Sequence, residues 1–184
     1  IGTALIERGL SADRPVVVLS DNGVDHALLA LAAQYAGVPY APISPAYSLL
    51  SSDHAKLRAI FALLAPGLVF ADDAAKFGKA LAAVGGGFEL VASRNAPAGA
   101  TSFETLLATR ADAAIDAASA AVAPESIAKI LFTSGSTGEP KGVINTHRML
   151  TANQQMILQC WPFLEDEPPV IVDWLPWNHT FGAN

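Results

Sequence analysis

The sequence predicts an α/β fold in which a mostly parallel sheet carries helices on both faces. Short β-branched apolar runs alternate with stretches whose apolar residues recur at helical spacing, the pattern of strand–helix–strand units. The chain has 184 residues, of which 52% are hydrophobic, enough to fill a buried core. A globular domain of the α/β class therefore accounts for both observations.

The alternation is clearest in the first half of the chain. Residues 14–20, with the letters RPVVVLS, are predicted to form a strand, and the apolar residues after them predict one face of a helix. These are Val24, Leu28, Leu31 and Tyr35. Further strands are predicted at residues 38–44, 67–71 and 88–92, and further helices at residues 53–64 and 74–84. Strands connected through helices run parallel, which places helices on both faces.

The second half begins with a change of composition. Residues 93–124 are rich in Ala, Ser, Thr and Gly, which predicts a long surface connection with one short helix at residues 103–109. This change of composition marks a candidate subdomain boundary near residues 93–124. Strands are predicted at residues 129–133, 142–145 and 170–174, and a helix at residues 149–160 that ends before Pro162.

Composition excludes several classes of function. The net charge is −6 and no segment clusters Lys and Arg, so no nucleic-acid partner is expected. Cys160 is the only cysteine, which favours a reducing, cytoplasmic location. Residues 27–52 carry no charged side chain, yet Pro39, Pro42 and Pro45 would break a spanning helix there. We therefore predict no membrane span.

The histidines and acidic residues offer no metal site by their spacing. His26, His54 and His147 lie far apart, with no Cys or carboxylate at ligand spacing, so solvated or capping roles are expected. The acidic residues 165–167 indicate a solvated loop. Arg148 could contact a phosphate or an acidic neighbour, and the sequence leaves both open.

The most informative segment, residues 133–142, reads TSGSTGEPKG. It combines three glycines, four hydroxyl side chains and a lysine between two predicted strands. Glycines allow backbone N–H groups to converge on an anion, and hydroxyls and an ammonium add donors and charge. A flexible Ser/Gly surface loop is the simpler interpretation, but it gives no reason for Pro140, Lys141 and Gly142 to lead directly into a strand. A polyphosphate-binding loop is therefore favoured.

Other nucleotide-binding motifs do not match this segment. The loop of kinases and GTPases requires a second glycine where Pro140 stands, and Ser or Thr where Gly142 stands. It also opens a helix, whereas Val143 and Ile144 are a β-branched pair that predicts a strand after Lys141. No G-x-G-x-x-G dinucleotide turn is present.

Two segments of the sequence resemble motifs of a known superfamily. Residues 132–142 resemble the signature of the adenylate-forming superfamily, which contains acyl-CoA synthetases, luciferases and peptide-synthetase adenylation domains. Residues 175–182, LPWNHTFG, resemble the Leu-Pro-x-x-His-x-x-Gly segment that lines the acyl pocket in that superfamily. Residues 17–20, 22–23 and 38–42 are similar to its early strands and turns, so the resemblance covers most of the chain. Residues 145–150, 153–156 and 172–182 look most similar to feruloyl-CoA synthetases.

The resemblance implies a two-step ligation of a carboxylic acid, such as the aromatic acid ferulate, to CoA, with ATP, Mg²⁺ and CoA as substrates and cofactor. It assigns catalytic roles to Lys141 and His179, and a substrate pocket to Trp177, His179 and Phe181. The residues that it assigns to ATP phosphates are Thr133, Ser134, Gly135, Ser136, Thr137, Gly138 and Lys141.

The resemblance also implies that residues 1–184 are a fragment of the large N-terminal domain, because a small C-terminal domain would follow later in such enzymes. The start at Ile1 and the stop at Asn184 lead to the same expectation. The fragment alone is expected to be inactive, and a homodimer is possible. Two alternatives stay open: a ligase for fatty or other acids, and a non-catalytic phosphate-binding or interaction module.

Overall fold

A seven-stranded, mostly parallel sheet forms the centre of the computed structural model, which describes residues 1–133, 138–167 and 169–183. The strand order is β5-β4-β3-β1-β2-β6-β7. The strands are β1 (Val16–Leu19), β2 (Tyr40–Pro42), β3 (Leu68–Asp73), β4 (Glu89–Arg94), β5 (Thr101–Ser102), β6 (Ile127–Thr133) and β7 (Lys141–Thr146). The pairings from β5 to β6 are parallel, whereas β6 and β7 are antiparallel. The predicted fold class is therefore confirmed.

Nine α-helices surround the sheet in the described part of the chain. They are α1 (Gly2–Glu7), α2 (Val24–Tyr35), α3 (Pro45–Ser48), α4 (Ala55–Leu64), α5 (Gly78–Val84), α6 (Phe103–Ala108), α7 (Ala113–Ala120), α8 (His147–Cys160) and α9 (Thr180–Ala183). A turn of 3₁₀ helix covers Pro162–Glu165. No described helix is both long enough and apolar enough to cross a bilayer.

Strand β1 shows why both faces of the sheet are covered. Successive side chains of a strand point to opposite faces. Val16 and Val18 pack into a core with residues of α1, α2, α6 and α7, whereas Val17 and Leu19 pack into a second core with residues of α4 and α5. All four side chains are fully buried. The continuous apolar run in the sequence thus reflects a strand that is covered on both sides.

Residues 93–124 differ from the predicted surface connection. They include α6 and α7, whose apolar side chains Phe103, Leu106 and Ile115 are buried in the core beside α1 and α2. Asp112 begins α7 by accepting a hydrogen bond from the N–H of Ala114. The expectation of an open connection is therefore wrong here, and the possible subdomain boundary stays a prediction.

Three further predicted elements differ from the structure. The expected strand at residues 170–174 is wrong, because those residues form no strand and Val170 is 96% exposed. Helix α8 starts two residues earlier than predicted, because the Thr146 hydroxyl accepts a hydrogen bond from the N–H of Met149. Helix α5 starts at Gly78 rather than Ala74, because the Asp73 carboxylate accepts turn hydrogen bonds from the two N–H groups that follow Ala74.

Candidate functional site

The base of the phosphate loop is the β6–β7 hairpin. Thr133, the last residue of β6, lies opposite Lys141, the first residue of β7. Lys141 therefore enters a strand and not a helix, as the sequence predicted. The Lys141 side chain is exposed and makes no ion pair with any described residue. An exposed ammonium at the mouth of a loop can contact an anion without first breaking another contact.

The loop itself is described only in part. Ser134, Gly135, Ser136 and Thr137 lie outside the described residues. Gly138 is described, and its φ of +83° lies in the left-handed region that a side chain makes unfavourable. The last glycine before the strand thus has a conformation that explains its residue type.

The two sequence motifs meet in one cavity. A cavity of about 230 Å³ lies between the end of β6 and residues 178–180. Its lining residues are Ser44, Tyr47, Leu131, Phe132, Thr133, Asn178, His179 and Thr180. Thr133 from the phosphate motif and His179 from the second motif, 46 positions apart in the chain, therefore face the same space.

A larger cavity continues this cleft. It has a volume of about 550 Å³ and shares Ser44 and Asn178 with the smaller one. Asp21, Asn22, Asp173 and Trp174 are also among its lining residues. Strands β1, β2 and β6 are parallel, so the residues that follow them meet at one edge of the sheet, where ligands of open α/β sheets bind.

Sequence reasoning missed the residues that organise this edge. Ser44 follows β2 and starts α3 by accepting a hydrogen bond from the N–H of Ala46 at 3.3 Å. Asn22 follows β1 and makes two hydrogen bonds to residues 175 and 177. A polar residue within three positions of the end of a buried strand was an available signal for both, but their partners could not be read from the sequence.

His179 is held so that one ring nitrogen is free to donate. Its Nδ1 accepts a hydrogen bond from the N–H of Phe181 at 3.3 Å. In a neutral imidazole that accepts at Nδ1, the proton is on Nε2. The exposed Nε2–H of His179 is then a donor that can face an oxygen atom of a ligand.

The aromatic residues in and just before the second motif lie in different surroundings. The Trp177 ring packs edge-on against His26, with ring centroids 5.2 Å apart, and lines a different cavity of about 260 Å³ beside Tyr40 and Ala183. Phe181 is 75% exposed. Trp174 lines the large cavity beside Asn178. His179 and Trp174 therefore line the cleft, whereas Trp177 lines a cavity that does not include Thr133.

Two of the histidines are not solvated, which corrects that part of the expectation from sequence. The alternative of a capping role is met in position only, because His54 is the N-cap residue of α4 without a side-chain capping hydrogen bond. His26 and His54 are buried. Burial lowers the pKa of His26, because the charged imidazolium would lose its hydration, and a hydrogen bond to the Asp21 carbonyl partly opposes this. His54 is the residue before α4 and has a φ of +52°. Among the described residues, no three His, Cys, Asp or Glu side chains are grouped for a metal ion.

A buried lysine lies below the cleft on β6. Lys129 is 2% exposed and its Nζ donates to the carbonyl oxygen of Ala183. Burial lowers the pKa of Lys129 to about 8, because the ammonium is removed from water. Arg148, which sequence could not place, forms an ion pair with Glu125.

Comparison with known proteins decides the family. The sequence model of AMP-binding enzymes matches residues 1–184, the whole chain. The chain belongs to the AMP-binding enzyme family. Within this family it is 30% identical, over 97% of its length, to a (7a-methyl-1,5-dioxo-octahydro-1H-inden-4-yl)propanoyl:CoA ligase of Mycobacterium tuberculosis. It covers 35% of that relative.

Solved structures of AMP-binding enzymes share the fold. ATP-bound MatB from Rhodopseudomonas palustris superposes with a TM-score of 0.68 and 29% identity, over 99% of this chain and 34% of MatB. A malonyl-CoA ligase with methylmalonyl-CoA and AMP bound superposes with a TM-score of 0.67 and 25% identity, over 98% of this chain and 32% of the ligase. The chain thus spans about a third of the length of these relatives.

Proposed function

We propose that the complete protein is an ATP-dependent carboxylic acid–CoA ligase. One observation carries the proposal: Thr133 of the phosphate-loop motif and His179 of the acyl-pocket motif line the same cavity. Membership of the AMP-binding family and the similarity to CoA ligases support it. A site that joins two anions needs both of their binding regions to open on one space, which this cavity provides.

The proposed reaction has two steps. A carboxylate oxygen of the acid attacks the α-phosphorus of ATP, and pyrophosphate leaves with the electrons of the broken P–O bond. The sulfur of CoA then attacks the acyl carbon, AMP leaves, and the thiol proton passes to solvent. This chain needs no nucleophile of its own, because both attacking atoms belong to substrates.

The residues of the loop would stabilise the departing pyrophosphate. Lys141 adds a full positive charge, and hydroxyl and N–H donors that are already in place cost no reorganisation during the reaction. The proposed donors and glycines are Thr133, Ser134, Gly135, Ser136, Thr137 and Gly138. His179 Nε2–H would face an oxygen of the acid or the phosphate.

Mg²⁺ fits this site only together with ATP. Among the described residues, no three His, Cys, Asp or Glu side chains are grouped for a metal ion. Mg²⁺ that is bound with a nucleotide takes most of its ligands from phosphate oxygens and water, and few from the protein. The hydroxyl of Thr133 is the described group that could add a ligand. The ion would neutralise phosphate charge when bound.

We further propose an aromatic acid such as ferulate as the substrate, with fatty or other acids as the alternative within the same class. Trp174 supports the aromatic acid, because its exposed indole ring borders the large cavity and offers a flat apolar surface. Two of the relatives named above are a (7a-methyl-1,5-dioxo-octahydro-1H-inden-4-yl)propanoyl:CoA ligase and a malonyl-CoA ligase, so the acid of this protein must be tested directly.

The test is acid-dependent ATP–pyrophosphate exchange by the complete protein. We expect exchange, followed by thioester formation with CoA, with ferulate in a panel that also holds cinnamate, malonate, octanoate and palmitate. Exchange with no acid of the panel would contradict a ligase and favour a phosphate-binding module. Exchange with malonate or fatty acids alone would overturn the aromatic assignment.

We also propose a cytoplasmic location and a homodimer, the latter because β7 is an edge strand with exposed Val143 and Ile144. Light scattering of the complete protein tests the oligomer. A monomeric mass at about 100 µM would refute it.

A further inference from the structure

The 175–183 segment, which carries His179, has little packing of its own. Helix α9 contains no buried residue, and Phe181 and Trp174 are exposed on either side of the His179 position. The main apolar contact of the segment is Trp177, whose half-buried ring packs on His26. Directed polar contacts add to it, and the described structure has them at the two ends of the segment.

Asn22 holds the first end. Its Nδ2 donates to the carbonyl oxygen of Leu175 at 2.7 Å, and its Oδ1 accepts from the N–H of Trp177 at 3.0 Å. One side-chain amide thus pairs with the backbone in both directions, as a neighbouring strand would do. Two hydrogen bonds from one planar group fix both the distance and the orientation of the backbone at that point.

Lys129 holds the second end. Its Nζ donates to the Ala183 carbonyl, at the C-terminal end of α9, where a helix presents free carbonyl oxygens. This is the only hydrogen bond of the Lys129 ammonium among the described residues, although the residue is 2% exposed, and no described carboxylate pairs with it. A buried cation with few partners keeps those that it has, because losing one would leave its charge unpaired.

The location of Lys129 makes this contact relevant to the site. Lys129 and Thr133 belong to the same strand, so their separation is fixed at about 13 Å by the rise of a strand. A contact from Lys129 to Ala183 therefore ties α9 to the strand that carries the phosphate loop.

We propose that Asn22 and Lys129 are positioning residues that clamp the 175–183 segment at its two ends and place His179 beside Thr133. The inference rests on the proposed function for the role of His179, but the clamp itself can be tested without activity. The test uses Asn22→Asp, which keeps the acceptor and removes the donor, and Lys129→Met, which keeps length and removes the cation. Matched controls are Asn153→Asp on α8 and Lys79→Met on the surface of α5.

The first measurement is the fluorescence of Trp177 in the complete protein, with Trp161→Phe, Trp174→Phe and phenylalanine in place of any tryptophan outside residues 1–184, so that Trp177 alone reports. We expect both clamp variants to shift the emission to longer wavelength and to increase acrylamide quenching about twofold or more, because the half-buried ring leaves His26. The controls should not change. Unchanged emission in both clamp variants would overturn the proposal.

The second measurement separates positioning from general stability. We expect each clamp variant to raise the KM for the acid about 10- to 100-fold, with the KM for ATP unchanged, since a small displacement of a positioned group has effects of this size. In combination with His179→Ala the clamp variants should add little, because they act through His179. Fully additive effects would overturn the clamp. If His179→Ala alone leaves exchange unchanged, the proposed role of His179 fails, while Trp177 fluorescence still decides whether the clamp exists.

Discussion

Thr133 and Lys141 lie directly opposite each other at the loop end of the β6–β7 hairpin. Seven residues connect them, so the hydroxyl of one and the ammonium of the other are held at the two ends of one short loop. A polyphosphate bound by this loop would have a neutral donor on one side and a full positive charge on the other. Lys141 is the only full positive charge within the loop motif.

Replacing Lys141 with alanine should slow adenylation in the complete protein. Negative charge grows on the departing pyrophosphate, and deletion of one preorganised group from such a site lowers the rate by about 100- to 1000-fold. ATP–pyrophosphate exchange measures the effect, and Lys79→Ala, which removes an exposed lysine of α5, is the control. Equal exchange in Lys141→Ala and the control would remove this lysine from the mechanism.

Stability should depend on pH through Lys129. Burial lowers the pKa of this lysine to about 8 from 10.5, so between these pH values the unfolded chain binds the proton that the folded chain has lost. The free energy of unfolding then rises with pH across this window, whereas below it the destabilisation by the buried ammonium is complete and does not change with pH. The full difference is about 3 kcal/mol.

Urea unfolding of wild type and Lys129→Met between pH 7 and 10.5 checks this. The methionine variant lacks the rise, so the two free energies should converge as pH increases, with the variant more stable at pH 7. Parallel pH profiles would show that Lys129 has an ordinary pKa in the folded protein.

Gly182 permits the close contact of α9 with the start of its own segment. A Cβ at this position would lie 2.6 Å from the Pro176 carbonyl oxygen and 2.8 Å from the Leu175 Cβ. Gly182→Ala should therefore displace α9, at a cost of about 1–3 kcal/mol in local stability. Hydrogen exchange of residues 175–183 should become faster, whereas Gly78→Ala, where an added Cβ meets nothing within 4 Å, should leave it unchanged.

Phe103 is expected to be important for stability although it lies in the alanine-rich region. It is 1% exposed and its ring centroid is 5.1 Å from that of Phe70. Phe103→Ala should lower the free energy of unfolding by about 3–5 kcal/mol. The exposed Leu107 of the same helix is the control, and its alanine variant should lose less than about 1 kcal/mol. Equal losses would mean that α6 does not pack on the core as described.

Much of the fold was predictable because burial leaves a periodic pattern. Strand β1 is apolar at four successive positions, and the structure covers both of its faces. Helix α7 was missed because alanine and serine dominate its sequence, so one buried residue, Ile115, carries its contact with the core. The strand expected at residues 170–174 was wrong because its apolar side chains are exposed, and an apolar pattern does not show whether the side chains are buried.

The site was predictable as a set of motifs but not as an arrangement. The pairing of Thr133 with Lys141 follows from local strand propensity around a short loop. The hydrogen bonds from Asn22 join residues 153 and 155 positions apart, and no local rule predicts them. Likewise, the aromatic residues near His179 did not reveal that Trp177 packs on His26, because the two residues are 151 positions apart in the sequence.

The antiparallel β6–β7 pair also affects the order in which the protein folds. The other strand pairings in the described sheet are parallel and need crossover connections, whereas this hairpin joins residues that are near in sequence. Contacts of short sequence separation form early, and an isolated hairpin closes in about 1–10 µs. We expect the two ends of the phosphate loop to meet before the larger sheet is assembled. In the folded protein the pairing of Thr133 with Lys141 closes the loop at its base. The binding energy of a nucleotide therefore does not have to supply that closure entropy.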